Sequence, residues 1–261
     1  MPNAWLVSPP YFLALGLLTG VVGFRMGWRT RSRVALPVVQ GMLGWGAFAL
    51  AWSFLGPAWS AAVAGAWALG TTVVSIYVFW GRPGETDERV ARAREYRAQM
   101  LEWLTTGRGP EVAPFRMAVG HLRELIWYLA AAVATANLAS LVLGAALLNY
   151  MNAYVATLVR AARRPGTVLL LAWNVWSIVR VAAYIGLGAA SARPLLTLAG
   201  LPGDAGAALR LAAAGLAGVV IDLALKLALS RPAGRRLARA VDLDAARENR
   251  SSELALRLDL S

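Results

Sequence analysis

Apolar runs of about twenty residues alternate with short arginine-rich stretches along most of this chain. The first run extends from about Pro10 to Trp28 and opens on Pro9-Pro10. Proline suits a helix start because the N–H groups it removes have no intrahelical partner there. Arg29, Arg31 and Arg33 follow, then runs over about Val34–Leu55 and Trp59–Trp80, each of 22 residues, against the roughly 20 needed to cross a bilayer. Gly56-Pro57 between them predicts a tight turn. Tyr77, Phe79 and Trp80 predict an interfacial aromatic belt. Gly16, Gly20, Gly23 and Gly27 recur every four residues or nearly so, a spacing that admits a close helix neighbour, read here as packing within the chain.

Residues 81–121 form the main polar segment. Thr86, Asp87 and Glu88 predict a helix start, with acids at the positive end of the dipole, and the helix is expected to run from 86 to 106 and stop at Gly107. Val90, Ala93, Met100, Trp103 and Leu104 fall near one face, so this is an amphipathic helix, either lying on the membrane or solvated. From Leu125 to Val159 there are 35 residues without a charge. That is more than one span needs and fewer than two full spans with a turn. A hairpin, a re-entrant pair, or one span plus an interfacial helix are the alternatives. Asn149, Tyr150, Asn152 and Tyr154 sit where such a hairpin is expected to turn or exit. Further spans are expected over about Thr167–Ala192 and Gly206–Leu229. A polar, basic tail, 230–261, ends in alternating leucines after Glu253.

The pattern predicts an all-α, polytopic transmembrane helical bundle. It has five clear spans plus the hairpin or re-entrant pair, giving five to seven crossings, with a cytoplasmic amphipathic helix. Residues 1–229 form the membrane domain, including the insert 82–121. Composition agrees: the 261 residues are 58% hydrophobic, above the usual share for soluble domains.

Charge sharpens the topology. There are 26 basic and 14 acidic residues, net +12. If 125–159 returns to the side it left, 23 of the 26 basic residues share one side; a single crossing divides them 14 against 11. The positive-inside rule favours the first arrangement. It implies a bacterial inner-membrane protein with its N-terminus outside and its C-terminus cytoplasmic. The N-terminus lacks a positive region and a small-residue cleavage site, and reads as a retained span. The basic residues flank apolar runs, which points to anionic lipid head groups rather than nucleic acid. Arg29, Arg31, Arg33, Arg92, Arg163, Arg164, Arg235 and Arg236 are the expected head-group contacts.

Ionisable residues inside spans are costly and therefore candidates for function. Arg180 is one, with Trp173, Ser177 and Tyr184 on its face of the helix wheel and cation–π contact to the two aromatics expected. Asp222 is another, with Lys226 four residues on, read either as a local ion pair whose lysine snorkels or as a partner for Arg180. By residue count the depths of Arg180 and Asp222 differ by about 10 Å. Asn137 matches the depth of Arg180, and Gln40 that of Asp222.

Cysteine is absent and His121 is the single histidine, which excludes thiolate chemistry and cysteine-ligated metals. No phosphate-binding loop or H-E-x-x-H helix occurs, and a second buried aspartate for a carboxylate pair is missing. No metal or cofactor is expected. The expected function is non-enzymatic: transport, alone or as a subunit of a membrane transport or secretion assembly with protein partners. A scaffold docking a partner or anionic lipid through its basic face, and a lipid-modifying enzyme, are the other readings.

Overall fold

A computed structural model describes residues 8–108 and 114–248. The chain is a polytopic helical bundle. Its elements are α1 (Pro9–Arg29), α2 (Ala35–Leu55), α3 (Pro57–Gly81), α4 (Pro83–Arg89), α5 (Ala93–Thr106), α6 (Pro114–Ala134), α7 (Leu138–Arg160), α8 (Pro165–Ala172), α9 (Val175–Leu198), α10 (Ala205–Ala240) and α11 (Leu243–Glu248). Six of them, α1, α2, α3, α7, α9 and α10, are long and apolar enough to cross a membrane. The alternating leucines after Glu253 lie outside the described residues.

The first three helices pack on one another and α7 packs on α2 and α3. The apolar stretch of α7 is 61% buried and that of α10 only 17%, so α7 is the central helix and α10 the peripheral one. Leu209, Leu216, Val220 and Ile221 of α10 are exposed, as suits a surface facing lipid. The glycine face of α1 is spent within the chain, Gly16 and Gly20 against α3, Gly23 and Gly27 against α2. Lipid tails are as apolar as leucine, so close packing and interhelical hydrogen bonds hold such a bundle together more than burial from water does.

The stretch 125–159 is a hairpin, and its turn is not at the asparagines expected. Thr135-Ala136-Asn137 makes the reversal, with Ala136 and Asn137 both left-handed, at φ 48° and 74°. Asparagine visits that region readily, whereas alanine there is strained. The strain is held in place by Trp45, whose Nε1 donates to the Ala136 carbonyl at 2.9 Å. Thr135 Oγ1 accepts from the Ala139 N–H at 2.8 Å. Two helices fit because α6 begins at Pro114 and takes in His121, Arg123 and Glu124; its 21 residues give about 31 Å. Asn149 and Asn152 lie within α7, fully buried.

The helix expected over 86–106 is two helices. α4 starts at Pro83, and Thr86 bonds back to the Arg82 carbonyl instead of capping. The break at Val90–Arg92, with Arg92 at φ 62°, lets the buried Asp87 accept from Arg97 at 2.8 and 2.5 Å and from Arg94 at 3.3 Å. A straight helix would set residues 87 and 97 about 15 Å apart. Met100, Trp103 and Leu104 of α5 are buried against α7 and α10, so its apolar face is taken by protein. The boundary expected at 229/230 falls inside α10, which continues through Pro232 to Ala240. Phe79 is core, packed on Phe24 with ring centroids 5.5 Å apart, while Tyr77 and Trp80 are exposed as an interfacial belt requires.

Candidate functional site

The α9–α10 hairpin sets the charged residues. Arg180 lies eighteen residues before Leu198, and Asp222 lies seventeen residues after Ala205. On antiparallel helices joined by the short 199–204 loop the two are therefore level. The offset expected from sequence disappears because α9 starts afresh at Val175 and continues past Ala192 to Leu198. Gly215 allows the close approach: a Cβ there would meet the Ala183 carbonyl oxygen at 2.9 Å. Arg180 Nε and Nη2 donate to the two Asp222 oxygens at 2.9 and 3.0 Å. This fork-to-carboxylate geometry is the strongest form of the pair. Asp222 is 1% exposed, while the Arg180 side chain is 18% exposed.

Lys226, one turn beyond Asp222, does not snorkel. It is 2% exposed, and its Nζ lies 3.1 Å from Nε2 of His121 on α6. The single lysine and the single histidine of the sequence thus touch. The other histidine nitrogen, Nδ1, is buried and has no hydrogen-bond partner among the described residues. An ammonium can only donate, so a charged Lys226 requires Nε2 to accept and places the imidazole proton on the unpartnered Nδ1.

No protein family, curated protein or solved structure matches this chain. What the site can do is therefore argued from its own geometry.

The expected span over 167–192 is discontinuous. α8 ends at Ala172 and α9 restarts at Val175, with Asn174 extended at φ −57° and ψ 145°. A break inside an apolar segment exposes backbone groups that lipid cannot satisfy; here Trp173 and Asn174 face protein and line a narrow cleft of about 20 Å³. Ser177, Arg180 and Lys226 line it from α9 and α10, and Tyr96, Met100, Met151 and Tyr154 from α5 and α7. The structure thus gathers Trp173, Ser177, Arg180 and Lys226 around one cavity and pairs Asp222 to its edge. Tyr184 does not line the cleft; its hydroxyl donates to the His121 carbonyl at 3.5 Å, and its ring lies 5.0 Å from that of Tyr128.

Gln40 and Asn137 belong elsewhere. Gln40 exchanges two amide hydrogen bonds with Asn149, at 2.7 and 3.2 Å. Asn137 sits at the hairpin turn against Ser140 and Gly188. Asn152 donates to Ser75 at 2.7 Å. These are interhelical polar ties at other places in the bundle. Sequence reasoning missed His121, Asn174 and Tyr154 as neighbours of the charged pair. The single lysine facing the single histidine leaves no trace in sequence spacing, because they lie 105 positions apart.

Of the arginines expected at head groups, Arg29, Arg31, Arg33, Arg92, Arg163, Arg164, Arg235 and Arg236 are all exposed. Arg33 nevertheless donates to the carbonyls of Glu88 and Asp87 at 2.7 and 3.2 Å, and Arg92 lies over the Tyr150 ring at 5.8 Å. Arg160 similarly donates to the Phe79 and Trp80 carbonyls. Several arginines at this end therefore close the C-terminal ends of helices, where a cation meets both orphan carbonyls and the negative dipole end.

Proposed function

We propose that this chain is a membrane transport protein, acting alone or as the membrane subunit of a transport or secretion assembly. Its working centre is the cleft at the α8–α9 break with Arg180, Asp222, Lys226 and His121. One observation carries the reading: a discontinuous helix beside a buried fork-to-carboxylate pair and a buried lysine. Uninterrupted helices suffice for a static bundle. Irregular backbone within an apolar segment is tolerated where it lines a cavity, and such breaks are how many transporters build their sites. The exposed arginines at the opposite end of α9 and α10 from their connecting loop suit the cytoplasmic face of an inner membrane and contact with anionic head groups there.

The test is flux. Protein reconstituted in liposomes is offered separate panels of inorganic anions, carboxylic acids, amino acids and phosphorylated solutes. Charge movement and uptake are recorded for wild type and for Asp222→Asn. Saturable flux of one panel that the variant loses, with the variant still monodisperse, supports the reading. Flux that is the same in protein-free liposomes for every panel removes it.

A further inference from the structure

A lysine buried for structure alone is ordinarily matched to a carboxylate. Lys226 is 2% exposed, yet the group its Nζ touches is another base, Nε2 of His121 at 3.1 Å. Asp222, one turn earlier on α10, gives one oxygen to each of two Arg180 nitrogens. Contact between two bases limits how many protons they hold. One hydrogen must lie between the nitrogens at this distance. Charging both side chains would set two cations in contact, with Arg180 lining the same cleft as Lys226, so the pair holds at most one excess proton. It stays hydrogen-bonded with that proton or without it. An ammonium donates to Nε2, and a neutral amine either donates to Nε2 or accepts from an Nε2–H. His121 can serve in both ways, because Nδ1 is buried with no hydrogen-bond partner among the described residues to fix the tautomer. Burial weighs against the charge and the Nε2 lone pair weighs for it, so the two states compete.

Around the pair stand Glu124, three residues along α6 from His121; Arg180 and Tyr184 on α9; Asp222 on α10; and Tyr96 of α5 and Tyr154 of α7 across the cleft. Arg180 and Asp222 are neutral as a unit, so the charge of the centre turns on the proton that Lys226 and His121 hold. The cleft beside Lys226, lined also by Ser177 and Asn174, is about 20 Å³, room for roughly one water. That suits a proton as the particle handled there. We infer that Lys226 and His121 form a proton-binding site that takes up and releases one shared proton through the cleft at the α8–α9 break. On release an Nζ–H bond breaks, the electron pair stays on nitrogen as the amine, and the proton leaves on water as hydronium; uptake is the reverse. This rests on the transport reading only in making that proton the coupling ion.

The experiment is potentiometric proton counting on the full chain in a neutral maltoside detergent between about pH 5 and 10, a range that brackets the ordinary imidazole and approaches the ordinary ammonium. With one histidine and one lysine in the sequence, differences between variants belong to these two side chains. His121→Gln and Lys226→Met should each bind as many protons over that range as wild type, because the remaining base takes the proton over. The double variant should bind one fewer. Two fewer in the double variant, or one fewer in either single variant, means independent groups; an unchanged count in the double variant means a charge fixed in place. Each of these results overturns the inference. His121→Phe combined with Lys226→Leu replaces the first double variant if that one is not monodisperse. The count needs no solute, so the two readings fail apart. A shared proton without flux in liposomes retires the transport reading and leaves the site standing. Flux with any other count retires the site alone.

Discussion

Arg180 and Asp222 meet edge to edge, each nitrogen of the fork opposite its own carboxylate oxygen, at 2.9 and 3.0 Å. With Asp222 almost wholly buried, removing one partner strands the other in a medium that cannot solvate it. Asp222→Leu or Arg180→Met alone should each cost about 3 kcal/mol or more, while the double variant should recover part of the loss because neither member of the pair is left without the other, although Lys226 stays buried beside it. Thermal unfolding in detergent reads this directly. Additive losses in the double variant would show that the two side chains are not energetically coupled.

Gly188 on α9 sits against the hairpin turn. A Cβ placed there would lie 2.5 Å from Asn137 Oδ1 and 3.0 Å from the Tyr128 hydroxyl. Gly188→Ala should therefore cost about 1–3 kcal/mol by overpacking. Gly144→Ala, where nothing lies within 4 Å, should be neutral or slightly stabilising, since glycine is the poorer helix former. Equal melting temperatures for the two variants would mean that the α6–α7 turn does not press on α9.

The Gln40–Asn149 amide exchange ties α2 to α7 in a fully buried place. Gln40→Leu leaves the Asn149 amide without its partner and should lower stability by about 1–2 kcal/mol. Adding Asn149→Leu should recover part of the loss. A lone Gln40→Leu that melts like wild type would assign the tie no stabilising role.

Topology is open to single-cysteine labelling, because the sequence has no cysteine of its own. Cysteines replacing Ser32, Arg108, Arg163 and Arg235 should react with an impermeant reagent from one side of sealed vesicles. A cysteine replacing Ala199 should react from the other. Labelling of Arg108→Cys and Arg163→Cys from opposite sides would reverse the hairpin arrangement of α6 and α7.

The uncharged runs made the spans of α1, α2 and α3 legible to within a few residues, since length and apolarity alone decide them. The hairpin was legible only through arithmetic on arginines. Its turn was not, because Thr135-Ala136-Asn137 lies in the middle of an apolar run and Asn149 and Asn152 look more polar to the eye. Helix α6 was masked by His121, Arg123 and Glu124, which interrupt the uncharged run within its length. The α8–α9 break left no mark, as Leu171-Ala172-Trp173-Asn174-Val175-Trp176 carries neither glycine nor proline. Individual members of the charged site could be picked out as intramembrane ionisable residues. Their partners depend on which helices adjoin, and a helix wheel holds no information about that.

The contact between Lys226 and His121 has a practical corollary. This sequence holds one imidazole and one lysine, the lysine buried and the imidazole half-buried against it. Selective isotope labelling of histidine would give a single ring spectrum, free of overlap, from a spot next to the Arg180–Asp222 pair. Tautomer, protonation and occupancy there can be followed resonance by resonance in the unmodified protein, so the molecule carries its own spectroscopic probe.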